Sequence, residues 1–114
     1  MSGSAIKSIT NKADLSAFVS ASKVAVVEYK MPGCPPCQSF QGTYDLVAKE
    51  MDSKDIRFAE ISIEDMGRAT LADGMDIHAT PTLTIYRDGR SHDMIIGAMS
   101  NDEFRARVRA AAAN

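Results

Sequence analysis

The stretch that decides the fold is Val24-Ala25-Val26-Val27-Glu28-Tyr29-Lys30-Met31-Pro32-Gly33-Cys34-Pro35-Pro36-Cys37. Val24 to Tyr29 is a nearly continuous apolar run rich in β-branched residues. Such a run reads as a central strand covered on both faces rather than as a half-exposed one. Met31 to Pro36 breaks the strand, and a helix is expected from there to about Met51. Phe40, Tyr44, Val47 and Met51 recur within it at helical spacing. Gly42 should weaken or bend that helix locally. A buried strand running through a tight turn into a helix is the core of an α/β architecture.

Working outward, Ala5 to Ile9 reads as a short edge strand. Thr10 or Asn11 can cap a helix to about Ser20 that carries Leu15, Phe18 and Val19 on one face. Ile56 to Ile63 is a second long strand, and a short helix is expected over Asp65 to Asp73. Thr82 to Tyr86 is a strand entered through Thr80-Pro81. Asp88-Gly89 is a tight-hairpin signal leading into Met94 to Ile96. Ser100 and Glu103 form a capping box for a last helix with Phe104 and Val108 inward. The Ala110 to Ala113 tail is expected to fray. The order βαβαβαββα implies a mixed sheet flanked by helices on both faces, closed by a hairpin.

The 114 residues fit one domain, 1–114, with residues 1–5 read as a flexible lead-in or a cloning remnant. Hydrophobic residues at 45% and charged residues at 25% match a water-soluble globular profile. The net charge of −2 gives no reason to expect a nucleic-acid or anionic-membrane partner. No apolar run approaches the roughly 20 residues that span a bilayer. Met1-Ser2-Gly3-Ser4 has no basic region followed by an apolar stretch, so a cytoplasmic location is expected.

The two cysteines, Cys34 and Cys37, close too short a loop to staple a fold. In an intracellular protein a pair of this kind points to catalysis or metal binding. Zinc generally requires four ligands, and the spacing of His78 and His92 matches no common site, so no metal is expected. Residues three apart in a first helical turn lie on one side, which lets their sulfurs bond. A helix N-terminus has unpaired N–H groups and a partial positive charge, and both favour a thiolate. That makes Cys34 a nucleophile and a good leaving group, with Cys37 less accessible. Proline is tolerated in the first helical turn, but Pro35 and Pro36 have no N–H to offer the Cys34 sulfur. The Cys37 N–H is left as its nearest backbone donor, so thiolate stabilisation should be moderate.

Gly33-Cys34-Pro35-Pro36-Cys37 resembles the redox motif of the thioredoxin family. Ile77-His78-Ala79-Thr80-Pro81-Thr82 resembles that family's cis-proline loop, Tyr86 to Arg90 its hairpin, and Ile96 to Ser100 the segment before its last helix. The similarity extends from about Ile6 to Ala112. It implies a thioredoxin-like fold and a protein-disulfide oxidoreductase. Cys34 would attack a substrate disulfide, and Cys37 would resolve the mixed disulfide. Pro81 would lie against the sulfurs, and Thr80 would offer backbone hydrogen bonds to a bound peptide strand. Gly33, Pro35, Pro36, Ala79, Gly97 and Ala98 would complete the substrate surface. Glu28 occupies the place of the family's buried carboxylate, which exchanges a proton with the second cysteine. No bound cofactor is implied beyond the Cys34–Cys37 disulfide. The implied partners are disulfide-containing proteins and an upstream reductase, and a monomer is expected.

The chain departs from the family pattern around the motif. Gly33 stands where the family has Trp, Lys30 replaces a second aromatic, and Pro35-Pro36 replaces Gly-Pro. Glu28 is one methylene longer than the usual Asp, and Glu60 aligns with the usual Lys. Two nearby carboxylates should raise at least one carboxyl pKa. Burying Glu28 alone would be costly, which favours a functional reading over that of a strand-end acid reaching water. His78 reads as a surface residue near the substrate, His92 as exposed, and the methionines mainly as core, with Met99 at the groove rim. Arg105, Arg107 and Arg109 read as a solvated face complementing the helix dipole. Three functions stay open: a reductant of protein disulfides, an oxidant or isomerase, and a binding module whose cysteines act as a switch.

Overall fold

The computed structural model describes residues 5–66, 77 and 79–113. The elements in chain order are β1 (Ile6–Ile9), α1 (Lys12–Ser20), β2 (Val24–Lys30), α2 (Pro35–Met51), β3 (Ile56–Ser62), a 3₁₀ turn (Ile63–Met66), β4 (Thr82–Arg87), β5 (Arg90–Ile96) and α3 (Asn101–Ala112). The strands form one sheet in the order β1-β3-β2-β4-β5. β1, β3 and β2 are parallel, whereas β4 and β5 run antiparallel to their neighbours. This is the mixed sheet expected from the hydrophobic pattern, with the apolar β2 at its centre.

Period-two alternation divides the strand residues between two cores. Val24 and Val26 of β2 face α2 and α3, where they meet Phe40, Tyr44, Val47, Phe58, Phe104 and Val108. Ala25, Val27 and Tyr29 face α1, where they meet Leu15, Phe18 and Val19. Tyr44 stacks on Phe104 with ring centroids 5.6 Å apart. Its hydroxyl donates to the Ala59 carbonyl at 2.6 Å, so the ring is buried without stranding its polar end.

The caps follow the sequence closely. Asn11 caps α1 by accepting from the Asp14 N–H at 2.8 Å. Ser100 caps α3 by accepting from the Glu103 N–H at 3.1 Å. Asp88 and Gly89 both have positive φ, +55° and +81°, as a two-residue hairpin twisted to match its strands requires. α2 runs unbroken through Gly42.

Several expectations need correction. β5 begins at Arg90, directly after the turn, because the ladder with β4 closes at the Arg87–Arg90 pair and absorbs an irregularity at Ile85/Tyr86. Ala5 packs against the core beside Ile6 and is not part of a free lead-in. The alanine tail is held: Ala111 is buried, and the Arg87 guanidinium donates to the carbonyls of Ala111, at 2.8 Å, and Ala113. Arg105 and Arg107 are not merely solvated. Arg105 bridges to Glu50 on α2, and Arg107 grips both carboxylate oxygens of Asp93 on β5. Met51 is only partly buried at the end of α2. Of the short helix expected over Asp65 to Asp73, only Asp65 and Met66 are described, and they belong to the 3₁₀ turn; the rest of that range lies outside the described residues, as do His78 and the Met1 to Ser4 start.

Candidate active site

β2 delivers the chain to one end of the sheet's central strand, and after turning through Met31 to Cys34 it enters α2 at Pro35. Gly33 makes that turn at φ +73°, a conformation L side chains rarely adopt. Cys34 is the N-cap of α2, with extended backbone angles, and its sulfur accepts from the Cys37 N–H at 3.1 Å. Pro35 and Pro36 occupy the first two helical positions, where no intrahelical partner exists for an N–H. The two cysteines are joined as a disulfide with Cα atoms 5.2 Å apart, within the usual span. Both are buried, at 6% and 4% exposure, so Cys34 is only marginally the more accessible.

The loop before β4 closes over the other side of Cys34. The Thr80-Pro81 peptide is cis and Pro81 is buried. The Thr80 hydroxyl donates to the Cys34 sulfur at 3.2 Å, and the Thr80 carbonyl oxygen lies 3.6 Å from it. This hydroxyl is a second donor that sequence reasoning missed, since the resemblance gives Thr80 backbone contacts alone. Gly97, at φ +94°, donates its N–H to the Pro81 carbonyl at 2.9 Å, which ties the hairpin to the loop. Ala79 and Ala98 are exposed beside this junction.

Glu28 is fully buried in the centre of β2, on the α2 face by alternation from Val24 and Val26. Neither carboxylate oxygen has a hydrogen-bond partner among the described residues. Its pKa is pushed up to about 7, first by desolvation; the Lys30 ammonium pulls it down, and Glu60 and Asp45 push it up. Glu60 does sit opposite Glu28 in the β2–β3 register. Repulsion between the two is nevertheless secondary, because Glu60 is paired with the Lys30 Nζ at 2.9 Å. Where the family pattern has Lys on β3 this chain has Glu60, and the cation beside it comes from Lys30 of β2. The signal was legible: residues 28 and 30 of one strand point to the same face.

Beside the sulfurs is a cavity of about 460 Å³, bounded by Lys30 and Met31 from the end of β2, by Gly33, and by Cys34, Cys37 and Gln41. Pro32, Gln38 and Ser62 complete its wall. The sequence reading named none of Gln38, Gln41 or Ser62, which converge from α2 and β3. Among the described residues no cluster of His, Cys, Asp or Glu is arranged to hold a metal ion. The pair can carry two electrons, as a disulfide or as two thiols, with Cys34 at the helix end and Cys37 within bonding distance of it.

The family model described as Thioredoxin matches residues 6–110. The chain belongs to the thioredoxin family. It is 29% identical over 100 residues to a thioredoxin of Mycoplasmoides gallisepticum, covering 88% of this chain and 96% of that protein. It is 26% identical over 85 residues to protein disulfide-isomerase A4 of Homo sapiens, covering 75% of this chain and 13% of that much longer protein. A single-residue mutant of a thioredoxin from Halobacterium salinarum superimposes with a TM-score of 0.83 at 17% identity, covering 100% of this chain and 97% of that one. The fold is therefore thioredoxin-like, and with its Cys34–Cys37 pair this thioredoxin-family protein is a thiol–disulfide oxidoreductase. Among the described residues no helix is long and apolar enough to cross a membrane.

Proposed function

We propose that the protein is a reductant of protein disulfides. The observation that carries this reading is the Cys34 sulfur at the N-cap of α2, met by the Cys37 N–H and flanked by Thr80 and the cis-Pro81. Reduced Cys34 attacks one sulfur of a substrate disulfide and displaces the other as a thiolate. Cys37 then attacks the Cys34 sulfur, and the substrate leaves with both sulfurs reduced. The backbone at Ala79 and Thr80, with Gly97 and Ala98 beside it and Gly33, Pro35 and Pro36 around the sulfur, is the surface for the substrate chain. Pro81 shields the sulfurs with a residue that has no N–H. Glu28 acts as the buried proton acceptor for Cys37, a role consistent with a pKa of about 7. The dithiol needs no bound cofactor, and an upstream reductase returns it to the reduced state.

The Thr80 hydroxyl favours a second reading, an oxidant or isomerase. An added donor to the Cys34 sulfur stabilises the thiolate, and a stabilised reduced form makes a dithiol more oxidising. The reduction potential, measured by equilibration with glutathione mixtures and trapping of free thiols, decides between them. A value near about −270 mV is expected for the reductant, and one near about −120 mV would mark an oxidant. If no internal disulfide forms in any mixture, the protein is a binding module instead.

A further inference from the structure

We propose that the cavity between the end of β2 and the first turns of α2 binds the carboxylate-bearing half of a small disulfide, with Lys30 as the specificity-determining residue. This rests on the redox reading above. The cavity touches both sulfurs, and its volume of about 460 Å³ lies in the range of small-ligand sites. It adjoins the surface that receives a peptide strand at Gly33 and Cys34, but Thr80 and Pro81 do not line it, so it extends away from the cis-proline loop. A small disulfide seated here reaches Cys34 from the side away from the cis-proline loop.

The chemistry of the walls selects the ligand. Among the described residues, Lys30 is the only charged side chain lining the cavity; Glu60 and Asp45, which face Glu28, do not line it. The helix end contributes no competing anion site. Pro35 and Pro36 have no N–H, and the Cys37 N–H is committed to the Cys34 sulfur. Lys30 directs its ammonium to the Glu60 carboxylate at 2.9 Å and to the Gln41 side-chain oxygen at 3.4 Å. An ammonium has three N–H donors, so one remains for a ligand. Gln41 is itself held by donating to Asp45 at 2.8 Å, which steadies the cation it accepts from. Met31, Pro32 and Gly33 supply an apolar wall, and a Cβ built at Gly33 would meet nothing within 4 Å, so the entrance is open there. A cysteine-containing peptide disulfide fits these demands, with a sulfur for Cys34, an apolar stem and a carboxylate for Lys30.

The reaction starts from the dithiol. The Cys34 thiolate attacks one sulfur of the small disulfide, and the first thiolate departs and takes up a proton. Cys37, losing its proton, attacks the Cys34 sulfur and releases the second thiolate. Two protein thiols are oxidised to one disulfide, and one small disulfide is reduced to two thiols.

The test compares the oxidation rates of the reduced protein with oxidised glutathione, cationic cystamine and neutral hydroxyethyl disulfide, by acid quench and thiol trapping. Each variant's rates are taken relative to its own hydroxyethyl disulfide rate, which removes differences in folding and in general thiol reactivity. Lys30→Gln is expected to lower the relative glutathione disulfide rate about 3- to 10-fold, the weight of one partly exposed charge-assisted hydrogen bond. Lys30→Glu is expected to invert the preference toward cystamine. Lys54→Glu, which makes the same change of net charge away from the site, should leave the ratios near those of the wild type. Equal shifts in the two Glu variants, or none in either, would overturn the proposal while leaving the redox reading intact. Failure of all three disulfides to oxidise the wild type would overturn both.

Discussion

Replacing Glu28 by Gln should remove most of a pH-dependent loss of stability expected of the wild type between about pH 4.5 and 7. The carboxyl is fully buried, its oxygens have no hydrogen-bond partner among the described residues, and its pKa rises from 4.5 to about 7 on folding. Below pH 4.5 the group is neutral in both states and imposes no penalty. As the pH rises from there, the unfolded chain releases the proton and the folded chain keeps it, so unfolding is increasingly favoured. Each pH unit of that gap is worth about 1.4 kcal/mol. The gap therefore amounts to roughly 3 kcal/mol of stability lost once the pH exceeds both values. Urea titrations of both proteins at pH 4.5, 6, 7 and 8 measure it, with other titrating groups cancelling in the difference between variants. The Gln variant has a burial cost of its own, but that cost does not vary with pH. The expected result is a difference curve that climbs in favour of the variant across the window and flattens above pH 7. Parallel stability curves would falsify the argument, because they would mean Glu28 titrates alike in the folded and unfolded chain.

Thr80→Val removes the hydroxyl that lies 3.2 Å from the Cys34 sulfur while keeping the shape of the side chain. It should make the couple more reducing, read by equilibration with glutathione mixtures; an unchanged potential would show that the hydroxyl does not stabilise the thiolate. Ser100→Ala deletes the cap of α3 and should cost about 1 kcal/mol, seen as a lower urea midpoint at unchanged slope. An unchanged midpoint would mean that packing of Phe104, Val108 and Ala111 alone sets where that helix begins.

Much of the fold was legible because local rules and burial agree. The apolar run of β2, the Asn11 and Ser100 caps and the Asp88-Gly89 turn each specify their element from adjacent residues. The errors fall where partners distant in sequence intervene. Ala110 to Ala113 would fray in an isolated helix, yet Arg87, 24 residues away from Ala111, holds its carbonyl. Arg105 and Arg107 look like free surface charges until Glu50 and Asp93 are brought beside them. The polar start of β5 lacks strand patterning because it is an edge strand, whose exposed residues obey no burial rule.

The candidate site divides in the same way. The spacing of Cys34 and Cys37, their place at a strand-to-helix turn and the two prolines were enough to determine that the sulfurs can bond, and which backbone donor would meet the Cys34 sulfur. Those are consequences of one helical turn, so the chain fixes them locally. Only the tertiary structure decided what surrounds the pair. It placed the Thr80 hydroxyl on the Cys34 sulfur across 46 residues of sequence, and it joined Lys30 to Glu60 between neighbouring strands. It buried Glu28 with no hydrogen-bond partner among the described residues and opened a cavity where β2, β3 and α2 meet. Charge and donor contacts of this kind depend on distances of a few ångströms between elements, which no local pattern encodes.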